Sequence, residues 1–302
     1  RWVVGSSEGA TTVHALVDTE RTEGFADRLR ERFGEQEIRL VFLAVEATTP
    51  EVEEEPAEQK VTDDEATPGR LSREELEQDV REGARLTPVF AALVFFSTVV
   101  AAVGLVRDDV AIVIGAMVIA PLLGPNMALA LAATLGDSDL ARTAFRTIGV
   151  GVLVAAVSAI AFGLIFTVDP SVPSIADRTR AGLGDIALGL AAGAAGTLAF
   201  TGGLPSALVG VMVAVALLPP LVVSGLLAGA GYIEGAVGAV MLVGANVACI
   251  NLAAVGTFLA QGVRPRSWWE EDRARKATRL AFWFLALLLA GLIGLMLLLW
   301  GA

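Results

Sequence analysis

Hydrophobic and polar residues follow two regimes along this chain. Up to residue 87 apolar positions are periodic and broken by charge; from 88 to 263 they run together with scattered charges only. In the first regime TTVHALVD (11–18) alternates polar and apolar residues, the period of a strand. ERTEGFADRLRERFG (20–34) puts Phe25, Leu29 and Phe33 on one helical face, and EIRLVFLAVEA (37–47) is rich in Val, Ile and Phe. The order predicts a β-α-β unit, half of a ferredoxin-like domain, over 1–47. Residues 48–70 are acidic, proline-containing and without period, which reads as a flexible linker. Over 71–87, Ser72 and Glu75 stand at capping-box spacing, and Leu76, Val80 and Ala84 share a face. That predicts a short amphipathic helix lying at a membrane surface.

The second regime divides into apolar runs at about 88–106, 110–135, 140–168, 184–203, 206–231, 233–262 and 278–300. Each is long enough to cross about 30 Å of hydrocarbon at about 1.5 Å per residue. The expected fold is therefore a polytopic α-helical membrane protein of seven spans with a small α/β N-terminal domain. Residues 115–136 and 210–231 agree at nine of 22 positions, with a constant offset of 95. The offset also carries the first span onto the fourth and the third onto the sixth. This predicts two three-span repeats, 88–168 and 184–263, then a loop (264–277) and a final helix (278–302). An odd number of crossings per repeat makes the second enter from the opposite side, an inverted pair. If 110–135 and 206–231 were instead re-entrant hairpins, five spans would remain and the repeats would be parallel.

Each repeat carries prolines where a helix wants none: Pro121 and Pro125 around Gly124, then Pro219 and Pro220. Proline has no N–H, so the carbonyls of Met117, Val215 and Ala216 lose their helical donors. In a bilayer such groups must face protein, water or a ligand. Matched breaks near the membrane centre therefore predict a substrate or ion site, and half-helices beyond them offer N–H groups suited to an anion. Asn126 and Ser224, just past the breaks, are candidate lining residues. Thr197, Thr201 and Gly202 of the fourth span join them, because its G-x-x-x-G glycines, Gly189 and Gly193, suit close packing inside a bundle.

Charge sets orientation. Lys and Arg cluster before the first span, at Arg142 and Arg146, and through 264–279. The opposite side has Arg107, Arg178 and Arg180 alone. The excess of positive charge marks the cytoplasmic side, so the N-terminus is expected inside and the C-terminus outside. The composition is 55% hydrophobic with a net charge of −11, which points to a lipid bilayer as partner and away from nucleic acid. One cysteine, Cys249, and one histidine, His14, leave no disulfide framework and no metal site. No Asp, Glu, Lys or Arg lies centrally in a span, and no Ser/His or carboxylate pair lies within one, so neither a cofactor nor an enzyme is expected.

GAMVIAPLLGP, the trailing LGD and the later LLPP resemble the uncharacterized hydrophobic-domain family of bacterial and archaeal membrane proteins (domain of unknown function 389). The resemblance covers most of 88–263 and extends to the small N-terminal domain and linker. It implies a multi-pass protein of the inner membrane and supplies no catalytic residues. The expected function is a transporter or channel-like protein for a small solute or ion, self-associating through glycine-rich faces. The alternative is a membrane-anchored sensor or scaffold whose N-terminal domain binds a ligand or partner.

Overall fold

A computed structural model of the chain describes residues 2–7, 10–15, 25, 28, 29, 32, 73–180, 182–204, 206–263 and 268–300. It divides into two units, Arg1–Glu74 and Glu75–Ala302. In the first, β1 (Trp2–Ser7) and β2 (Ala10–Ala15) pair antiparallel, Trp2 opposite Ala15 and Val4 opposite Val13. Part of the 11–18 run is thus a strand, but its partner is a preceding strand that the alternation from residue 11 did not foretell. Residues 25, 28, 29 and 32 are helical, and 37–47 lie outside the described residues.

The second unit is helical. It opens with α1 (Arg73–Gly83) and continues with α2 (Pro88–Val106), α3 (Val110–Ile119), α4 (Leu123–Leu135) and α5 (Ser138–Ile165). After a single turn, α6 (Pro173–Ala176), come α7 (Leu183–Thr201), α8 (Ser206–Gly229), α9 (Ile233–Ala260) and α10 (Trp268–Trp300). Six of these helices are long and apolar enough to cross a membrane, and α3 with α4, bent by 57°, make up to a seventh. This is a multi-pass membrane protein. The helix α10 begins at Trp268, inside the stretch expected to be loop.

Sequence explains where the helices stop and start. Thr87 accepts a hydrogen bond from the Phe90 N–H, with Pro88 in the first turn of α2. Asp109 caps α3 through the N–H groups of Ala111 and Ile112, and Asp137 caps α5 through those of Asp139 and Leu140. Between α4 and α5, Gly136 takes the left-handed conformation at φ 71°; Gly231, 95 residues on, does so at φ 87°. Asp108 (φ 55°) and Gly203 (φ 69°) make a second such pair at the same offset. Helices α2 and α7 both have 19 residues, and α5 and α9 both have 28, at that offset again. The internal likeness therefore reaches backbone geometry, beyond shared apolar composition.

Helices α8 and α9 form the middle of the bundle. Helix α8 crosses α5 closely: a Cβ at Gly225 would run into Ala159, and one at Gly229 into the Ile160 carbonyl. On α7, a Cβ at Gly189 would lie 2.8 Å from Cys249 Cβ, and one at Gly193 would strike the Ile250 backbone of α9. These two glycines serve packing within the chain. Helix α7 is nevertheless not enclosed as expected, since Leu183, Leu188 and Leu198 are exposed on its outer side. Helix α10 lies at the periphery, against α9 through Leu289 and Leu292.

Hydrogen bonds tie the loops at the bundle's ends. At one end, Ser174 donates through its N–H (3.0 Å) and its hydroxyl to Asp108, and Arg178 donates to the Ser174 carbonyl at 2.6 Å. Burial pulls the Arg178 pKa below its ordinary value, against the opposing pull of Asp177, Asp185 and Asp108. At the other end Arg81 pairs with Asp137 at 2.6 Å, Gln261 donates to Thr201 at 2.9 Å, and Thr278 donates to the Ala133 carbonyl at 2.9 Å.

Candidate functional site

The bend between α3 and α4 follows from three residues. Ala120 precedes a proline and is extended at φ −69°, ψ 117°, as crowding by the proline ring requires. Pro121 has no N–H for the Met117 carbonyl, and the N–H of Leu122 turns to Ala120 instead of Val118. Two carbonyls at the C-terminus of α3 therefore lack their helical donors. Leu122 packs against both large apolar clusters of the bundle, one built around Met127, Leu131, Ile250 and Phe258, the other around Met117, Leu218 and Leu226. The break lies at the border between them.

The helix expected at the membrane surface packs its apolar face on protein at this break. Leu76 and Val80 of α1, with Ala84 just beyond its end, are buried in the cluster that contains Leu123 and Met127. A Cβ at Gly124 would lie 2.5 Å from the Gly83 carbonyl oxygen and 2.8 Å from its Cα, so α1 and α4 touch backbone to backbone. Thr147 of α5 donates to the Ala84 carbonyl at 2.7 Å, and the Arg81–Asp137 ion pair holds the other side. Partial burial acts upward on the Asp137 carboxyl. The Leu140 N–H, the Arg81 guanidinium and the Asp139 N–H outweigh it and hold the group below its ordinary range.

The second half differs from expectation: α8 runs unbroken from Ser206 to Gly229 with Pro219 and Pro220 inside it. The reason lies on α9. Pro220 leaves the Ala216 carbonyl without its donor, and the Asn246 side-chain amide supplies one at 2.7 Å. The freed group faces protein, and the second break expected at 216–220 is repaired. Pro219, Pro220 and Ala216 are buried, and Val215 is half-buried.

The remaining candidates fall into a polar line along α9 and α7. Asn126 donates to the Leu122 carbonyl at 2.7 Å and accepts from Asn251 at 3.5 Å; both residues are 2% exposed. Asn251 also donates to Val247 at 2.9 Å, and its own Oδ1 has no partner. Thr197 donates to Gly193 at 2.8 Å and stands 3.6 Å from the Met127 sulfur. Thr201 donates to Thr197 at 3.0 Å and accepts from Gln261. Ser224 bonds only to Leu221 within its own helix, and Gly202 is exposed at the end of α7. Met117, Pro121, Gly124 and Pro125 surround the break. Asn246, Asn251 and Gln261 were not among the expected site residues. The two asparagines lie five apart, about 140° around a helix, and they reach different neighbours, α8 and α4. Among the described residues no His, Cys, Asp and Glu group of a size to hold a metal ion occurs.

The family model "Domain of unknown function (DUF389)" matches residues 117–252, which contain the break, the repaired prolines and both asparagines. "Uncharacterized protein MJ0678" of Methanocaldococcus jannaschii is 37% identical over 268 residues, covering 89% of this chain and 82% of its own length. The chain belongs to this family. No solved structure matches the chain.

Proposed function

We propose that this family member is a transport protein or channel for a small solute or ion, whose site lies at the broken span beside α8 and α9. The observation that carries the reading is the break itself, where α3 carbonyls are freed and the buried Asn126 bonds both to Leu122 and to Asn251. Unsatisfied backbone is tolerated at membrane depth where it is buried in protein or lines a cavity, and a discontinuous span is a recurring way to build a transport site.

The reading includes seven crossings and inverted repeats. If α3–α4 folded back as a hairpin, α5 would carry residues 166–182 to the end opposite Asp108. The Ser174–Asp108 bonds instead join those loops, which supports a complete, bent crossing. Helix α2 then starts at the end that holds Arg81 and Asp137, while α7 starts at the end that holds Arg178. The excess of Lys and Arg at the first end supports an N-terminus in the cytoplasm and a C-terminus outside, in a bacterial or archaeal cell membrane. The chain has no enzymatic role in this reading.

The test is solute flux into liposomes holding the full chain, compared with protein-free liposomes. Flux above leak for some solute is expected; leak-level flux across ions and neutral solutes alike would leave the sensor or scaffold reading. Orientation is tested with single cysteines at the exposed Ser138 and Ser171 in a Cys249→Ala background. Membrane-impermeant reagent outside cells should label residue 171 and spare residue 138.

A further inference from the structure

We propose that the solute is small, uncharged and able both to donate and to accept hydrogen bonds, a class that includes water, urea and short polyols. It is held at Asn126 and Asn251 and led along the α7–α9 seam past Thr197 and Thr201 to Gln261. This rests on the transport reading above and names the substrate class of that same site.

Three observations carry it. First, the buried polar side chains among the described residues are all hydroxyls and amides, with no carboxylate, lysine or arginine. An ion stripped of water here would meet no countercharge, and a few amide oxygens replace little of its hydration. Second, α3 ends at Ile119 and α4 begins at Leu123, so a helix end with freed carbonyls and a helix start with the N–H groups of Leu123 and Gly124 meet at the break. Their partial charges are opposite and adjacent, so an ion meets near-cancelling fields while a neutral donor–acceptor finds a partner on each side. Third, Asn251 Oδ1 is an acceptor without a partner in a residue 2% exposed. A buried acceptor left unpaired is costly, and a solute N–H or O–H would satisfy it.

The seam supplies the onward steps. Thr197 and Thr201 stand one helical turn apart, and each hydroxyl keeps acceptor capacity after donating to its own helix. Gln261 ties the last of them to the half-buried edge of the bundle. No charged side chain is among the buried polar groups of the described residues that a neutral solute would meet along the seam.

The experiment uses the full chain in liposomes. Stopped-flow light scattering follows water, urea and glycerol, and tracer uptake follows rubidium and chloride. At least one uncharged probe should permeate well above protein-free leak, with rubidium and chloride at leak. Asn251→Leu and Thr197→Val should each lower that permeability by about tenfold, the scale of one lost hydrogen bond. Asn251→Ser is measured alongside, so that misfolding of the bulkier variant, read from gel filtration and thermal melting, does not hide the result. Rubidium or chloride flux without uncharged flux would overturn this inference and leave the transport reading standing. Uncharged flux indifferent to all three substitutions would overturn the assigned residues. Flux of no probe would defeat the transport reading, and this inference with it.

Discussion

At positions 95 residues apart stand Pro121, Gly124 and Pro125 on one side and Ala216, Pro219 and Pro220 on the other. The first set bends its span by 57°, whereas the second leaves α8 continuous. The difference teaches that proline count does not decide whether a membrane helix breaks. In α8 the continuous helix goes with a neighbour that donates to one orphaned carbonyl. Asn246 does so for Ala216, and among the described residues no side chain does so for Met117. In the first half the gap is used instead for a backbone crossing, Gly83 on Gly124.

Four experiments break or sharpen this comparison. The largest effect is expected from Gly124→Val, whose Cβ would collide with the Gly83 backbone. Overpacking of this kind costs about 2–3 kcal/mol. Thermal melting of the full chain in detergent should show it, together with faster proteolysis at α1. Next is Asn246→Leu, which strands the Ala216 carbonyl at a cost of about 1–3 kcal/mol. In a Pro220→Ala background the backbone N–H returns, so the same substitution should cost less. An additive double-mutant cycle would sink the repair account.

A third variant addresses the bend. With Pro121→Ala and Pro125→Ala together, α3 and α4 should straighten, lengthening the distance between spin labels at Val110 and Ser138 by roughly 4 Å. An unchanged distance would mean that tertiary packing, and not proline, sets the angle. The smallest effect is expected at Asp137. Its carboxyl is held below the ordinary 3.8, so its stabilisation is present above that value and is lost as pH falls through the folded-state value. Asp137→Ala should cost about 1 kcal/mol near neutrality, mostly the lost helix cap, and should flatten the acid limb of the stability profile.

The spans were legible because apolar runs of this length have one physical reading; Gly136 and Gly231 mark left-handed turns 95 residues apart. The apolar face of α1 was legible too, in Leu76, Val80 and Ala84. What covers that face was not, since periodicity says which side is buried and not against what. Continuity of α8 was hidden for a similar reason: the amide that repairs it lies 30 positions away in sequence, on the next helix. The approach of Asn126 and Asn251, 125 positions apart, could not be read from either local pattern. Asn246 and Asn251 stand about 140° apart on α9, and that spacing alone does not say which neighbours the two amides meet.

The Gly83–Gly124 crossing also constrains how the protein is made. Gly83 leaves the ribosome 41 residues before its partner. At about 5–20 residues per second, α1 waits roughly 2–8 seconds before Gly124 is synthesised, and longer before α4 is inserted. During that interval Leu76, Val80 and Ala84 have nothing from α4 to cover them. The lipid surface or a chaperone must shelter them, so the docking that completes the break is a late event in biogenesis.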